Sequence, residues 1–171
     1  MISWLKSGEL KPPQPVTATT KFDGPSGYVV PSFQEGSLLL KNSHEQFFRL
    51  SWDQAGAVRR RPVPVGSYTL VNFRLVKRDA AGREWYLSGI PHHGSTVVVR
   101  ANEEQRVTVD DSIAISLKLV PTDEGFRMQA PVIGDQHSGL TIYANGARIP
   151  MNYKVVDGAG RQLAAGAMTY G

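Results

Sequence analysis

The chain has 171 residues, 41% of them hydrophobic and 20% charged, which is enough apolar material for a core and excludes disorder as the default state. Nineteen Lys and Arg against 15 Asp and Glu leave a net charge of +4, compatible with a basic binding face but no demand for nucleic acid. There is no cysteine, so disulfides, zinc–thiolate sites, iron–sulfur clusters and thiol nucleophiles are excluded together, while the compartment stays open. No run approaches the roughly 18 apolar residues of a membrane-spanning helix. Met1 to Gly8 contain no apolar h-region, so a Sec-type signal is not expected at this end.

Residues 1–15 close on Lys11-Pro-Pro-Gln-Pro15, which reads as an extended lead-in because proline cannot continue a helix. Beyond it, Pro62-Val-Pro-Val-Gly-Ser-Tyr-Thr-Leu70 reads as a turn opening into a strand, with Tyr68 and Leu70 on one face. From Tyr68 to Lys77 the alternation changes phase: Tyr68 and Leu70 share one parity, Val71, Phe73 and Leu75 the other. A strand buried on both faces would explain this. A β-bulge near Asn72 explains it better, since Asn72 and Arg74 sit poorly in a core. Asp79-Ala-Ala-Gly82 then turns the chain into Trp85-Tyr-Leu87, where either Trp85 or Tyr86 has to face outward. Ser95–Val99 and Arg106–Val109 are strand-like.

Further on, Ile113-Ala-Ile-Ser-Leu-Lys-Leu119 places Ile113, Ile115, Leu117 and Leu119 on one face, and Phe126, Met128 and Ala130 repeat the pattern. Both segments are predicted to be half-buried antiparallel strands with those residues inward. Asn145-Gly146 predicts a type I′ hairpin, and Asp157-Gly-Ala-Gly160 joins Tyr153–Val156 to a closing strand. No window carries a helical stripe, and 17 glycines and 11 prolines oppose long helices. The fold class is all-β. The two halves show no internal sequence repeat.

The element Pro64-Val-Gly-Ser-Tyr-Thr-Leu70, followed by a predicted hairpin from Val97 to Val109 around Asn102-Glu103-Glu104, resembles the prealbumin-like, carboxypeptidase-regulatory type of β-sandwich. Such domains show a P-x-G-x-Y-x-L element and end in a hairpin with a short polar turn; the glycine often found in that turn is missing here. The resemblance covers residues 16–111. It implies a prealbumin-like (Ig-like) antiparallel β-sandwich, with residues 112–171 as a smaller β-module packed on it or adding strands to a joint sandwich. It supplies no catalytic residues.

Function is less legible, because a sandwich carries no fixed chemistry. The leading expectation is a non-catalytic binding or structural module with no cofactor. Its partner would be another protein or a glycan or polyanion surface. The resemblance implies the cell envelope or extracellular space, and the missing signal counts against that placement. The first alternative is a carbohydrate- or polyanion-binding module. Between Gln54 and Arg78 there is no acidic residue, and Arg59, Arg60, Arg61, Arg74 and Arg78 offer guanidinium forks to oxyanions. Edge protection of a strand explains the same arginines. Tyr86 and Tyr143 are the candidate sugar-stacking pair, against the ordinary use of tyrosine on exposed strand faces. Nucleic acid is not expected, because aromatic residues are not interleaved with the arginines.

A metal-dependent hydrolase is the second alternative, on His92, His93, His137 and Asp135 in two loops. No H-x-H, H-E-x-x-H or facial-triad spacing accompanies them, so loop histidines without a site explain the same residues. No G-x-S-x-G elbow is present. The pairs Glu103-Glu104, Asp110-Asp111 and Asp123-Glu124 read as solvated strand ends and turn caps.

Overall fold

The computed structural model describes residues 23–53, 59–91, 95–134 and 138–168. Among the described residues the chain is all-β, with several mostly antiparallel sheets and no helix. In chain order the strands are β1 (Ser26–Pro31), β2 (Gly36–Asn42), β3 (Phe47–Trp52), β4 (Arg61–Pro64), β5 (Gly66–Arg78), β6 (Glu84–Ile90), β7 (Thr96–Val99) and β8 (Glu104–Val107). They continue as β9 (Ala114–Ile115), β10 (Lys118–Thr122), β11 (Gly125–Gln129), β12 (Val132–Ile133), β13 (Gly139–Ala144), β14 (Ala147–Arg148), β15 (Asn152–Val156) and β16 (Gln162–Ala167).

A nine-stranded sheet runs β3-β2-β5-β6-β13-β12-β9, with β7 paired to the start of β5 and β14 to the end of β13. A three-stranded sheet, β4-β1-β8, contributes Val29, Val63 and Val107 to the same core as Leu38, Leu40, Leu50, Phe73, Leu75 and Leu87 of the large sheet. The inner faces of the two sheets therefore fill one core, which is what alternation with one wet face requires. β13 lies beside β6, from Gly139 opposite Ile90 to Ala144 opposite Trp85, so the large sheet continues past residue 111.

The phase change in β5 is a bulge. Leu39 pairs with Asn72 and Leu40 with Leu70, leaving Val71 as the extra residue. Tyr68 and Leu70 before it, and Phe73 and Leu75 after it, all point into the core. Asn72 turns outward, its amide donating to Gly89 O at 3.0 Å. Gly89 is there for space, since a Cβ would land inside the Phe73 ring. The turns behave as their chemistry requires: Asn145 and Gly146 take φ of 50° and 76° between β13 and β14.

Four expectations need correction. Arg61-Pro-Val-Pro64 is not a turn but the edge strand β4, paired with Ser26–Val29 of β1, a place where prolines cost no ladder bond. The direction change falls at Val65, where the chain passes from the small sheet to the large one. Residues 97–109 are not a paired hairpin: β7 pairs β5 in one sheet and β8 pairs β1 in the other. Asn102, at φ 60°, makes that corner, and its N–H donates to Ser26 O at 2.9 Å. The β1–β8 pairing is also parallel, not antiparallel.

The largest departure from expectation lies after residue 112. Residues 113–119 are split between β9 and β10, and the apolar face does not point inward. Leu117 is 63% exposed, Leu119 62% and Phe126 74%. β10 and β11 form a two-stranded sheet of their own, as do β15 and β16. In β10–β11 Leu119 lies opposite Met128 and Pro121 opposite Phe126. One side of this ribbon is therefore apolar throughout, with Lys118, Arg127 and Gln129 on the other.

Candidate functional site

The outward face of the large sheet is polar because the inward face uses every second residue for the core. Cross-strand pairing places Ser51 beside Ser37, Ser37 beside Arg74, Arg74 beside Ser88, and Ser88 beside Thr141. The result is one polar row across β3, β2, β5, β6 and β13. A second row runs Val76, Tyr86, Tyr143 and Arg148. Arg49 flanks the first row from β3, opposite Leu39. A shallow groove of about 220 Å³ lies on this face, lined by Glu35, Ser37, Arg49, Ser51 and Arg74 among others.

Tyr86 and Tyr143 do meet, with centroids 4.7 Å apart and ring planes 8° from parallel. The Arg74 guanidinium lies over the Tyr86 ring at 3.5 Å from its centroid. Both faces of Tyr86 are thus in use, one by Tyr143 and one by Arg74. A sugar needs an open ring face for stacking, and Tyr86 has none to offer.

The five arginines do not form one cluster. Arg59 donates to Phe33 O at 2.6 Å, and Arg61 to Ser51 O at 2.9 Å. Arg60 lies over the Tyr28 ring, 4.5 Å from its centroid, and 3.6 Å from Glu104. Arg78 bridges Glu35 at 2.6 Å and Glu84 at 3.0 Å. The hydrogen bond to Glu35 leads the causes that raise the Arg78 pKa. Arg74 is different: among the described residues neither it nor Arg49 has a hydrogen-bond or ion-pair partner. Arg49, Ser37, Ser51, Ser88 and Thr141 escaped the sequence reading because single serines and a lone arginine carry no motif. Their strand parity was readable; their alignment across five strands needed the register.

His92, His93, His137 and Asp135 lie outside the described residues. Among the described residues no three metal-ligating side chains come together. Of the acidic pairs, Asp110 departs from its expected role as a solvated cap. It is 1% exposed, and its carboxylate accepts the Ser138 N–H at 2.9 Å, tying the end of the first eight strands to the segment before β13. Asp111 faces Lys77 at 3.6 Å.

Two hairpin loops use the same device. Asp79 accepts the N–H groups of Ala81 and Arg83 and the Arg83 Nε; Asp157 does the same with Ala159, Arg161 and the Arg161 Nε. The backbone bonds from Arg83 and Arg161 lead the causes that hold these two carboxyls below their usual range. Burial raises the Tyr68 phenol, whose hydroxyl donates to Pro64 O at 2.7 Å.

A second cleft, about 540 Å³, is lined by Trp85, Ile113, Ile142 and Ile149 with Asp79, Arg83 and Glu84 at its rim. Its charged groups are already engaged, Arg83 by Asp79 and Glu84 by Arg78. Among the described residues these surfaces offer apolar side chains, guanidinium forks and hydroxyls. Compared with known proteins, the chain matches no family model, no curated protein and no solved structure.

Proposed function

We propose that this chain is a non-catalytic β-module that works by assembling with another protein, and that the β10–β11 hairpin is where the partner docks. The observation that carries this reading is the apolar side of that hairpin, with Leu119 and Phe126 more than half exposed. A two-stranded ribbon is marginal by itself in water, and an apolar sheet face is stable when something covers it. Among the described residues its two strand edges are unpaired as well, so a partner can add a strand while covering the face. In the same proposal residues 16–111 form the prealbumin-like unit and 112–171 the smaller one. The core shared by two sheets speaks for it. The division of residues 97–109 between sheets departs from the family's closing hairpin. Placement in the envelope or extracellular space rests on that resemblance, and cell fractionation tests it.

Hydrogen exchange of the purified monomeric chain tests the docking reading. The amides of β10–β11 are expected to exchange orders of magnitude faster than those of β5 and β6, and to slow when a partner binds. A monomer in which the hairpin is as protected as β5 would overturn it.

A further inference from the structure

We propose that the outer face of the nine-stranded sheet is a binding site for an acidic polysaccharide, with Arg49 and Arg74 gripping its carboxylate or sulfate groups. Two arginines carry this site, independently of the β10–β11 hairpin. Each carries five N–H donors, and among the described residues neither is bonded to a carboxylate or carbonyl. The Arg74 guanidinium rests over the Tyr86 ring, 3.5 Å from its centroid, and that ring is itself stacked on Tyr143, so the cation has a fixed support before any ligand arrives. That pre-organisation lowers the ordering cost of binding. The neighbouring Glu35 carboxylate is held by Arg78, at 2.6 Å and 3.3 Å, and makes no ion pair with Arg49 or Arg74 among the described residues.

Arg49 and Arg74 stand on strands separated by β2 and are offset by two residues along them, so their backbones are about 12 Å apart at ordinary strand spacing and rise. Two forks at that separation suit a polymer with repeating acidic groups better than a single small anion. Between and beyond them the hydroxyls of Ser37, Ser51, Ser88 and Thr141 supply donors and acceptors in a row, which matches the hydroxyls of sugar rings. A nucleic acid fits less well, since both faces of Tyr86 are covered and cannot stack a base. An anionic bilayer fits less well too, because this row has no apolar side chain to insert.

The test is titration of the purified chain with polygalacturonate and with heparin, using neutral dextran and vesicles containing anionic lipid as comparisons. Binding to at least one acidic polymer is expected at low ionic strength, falling steeply with added salt, with none to dextran. The Arg49→Glu/Arg74→Glu variant should weaken it at least tenfold, and Arg49→Gln/Arg74→Gln should do so with less change of charge. Arg74→Lys should also weaken it, because a point charge does not reproduce the stacked fork. Arg59→Glu/Arg60→Glu should leave affinity within about twofold once overall charge is matched by salt. Unchanged midpoints of thermal unfolding show that the variants fold. No binding to either polymer, equal binding by the Arg49/Arg74 variants, or binding confined to the vesicles would each overturn the proposal.

Discussion

In β5 the alternate residues Phe73 and Leu75 close against a second sheet, whereas in β10–β11 the equally regular Leu119 and Phe126 face solvent. Both segments obey the same period of two. The difference is what stands opposite: β1, β4 and β8 supply a lid for the first, and among the described residues the second pairs with its own partner strand alone. A binary pattern therefore encodes a face to be covered and not the identity of what covers it. The Asp79 and Asp157 loops extend the comparison, because one and the same turn joins strands inside the large sheet and strands that stand alone.

The strongest way to break this contrast is Phe73→Ala, expected to cost about 3–5 kcal/mol in denaturant unfolding, as for aromatic truncation in a filled core. A loss below 1 kcal/mol would mean the two-sheet core is not packed as described. Gly89→Ala comes next, at about 1–3 kcal/mol, because the new methyl meets the Phe73 ring. Combined with Phe73→Leu it should cost less than the two changes added together, which a double-mutant cycle reads directly.

A smaller effect is expected from Asp79→Ala. The folded-state pKa of Asp79 is depressed, so its stabilisation is present above the unfolded value of about 3.9 and disappears as pH falls through the lower folded value. Unfolding of Asp79→Ala should thus be easier than wild type at pH 7 and indistinguishable from it well below the carboxylate range. Asp157→Ala should leave global unfolding unchanged at both pH values and loosen only β15–β16, seen as faster amide exchange there. Equal global effects from the two would show that the second hairpin belongs to the same cooperative unit. Smallest of all, Leu119→Ser and Phe126→Ser should each shift the stability of the free chain by no more than about 0.5 kcal/mol. A loss of 2 kcal/mol from either would mean that the chain itself covers that face.

Much of the strand content was legible because alternation and turn chemistry are local. Asn145-Gly146 and the Asp-x-x-Gly turns need particular φ values, and the phase slip at Val71 left its mark in the parity of the flanking residues. The 97–109 segment misled because a polar turn between two apolar runs looks alike whether the runs pair with each other or with β5 and β1. Asp110 misled for a similar reason: an acidic pair looks solvated until a backbone amide from residue 138 is brought to it.

The sequence by itself determined an all-β chain, the inward parity of most strands up to Val109, the bulge and the turns, since each depends on neighbours within a few residues. Only the tertiary structure decided which strand lies beside which. That choice depends on contacts between residues far apart in the chain, and it is what divided β7 from β8 and aligned Ser51, Ser37, Arg74, Ser88 and Thr141 across one face. Among the described residues it also left the apolar side of β10–β11 exposed, because the strands that fill the core come from elsewhere and none of the described ones pairs with that hairpin.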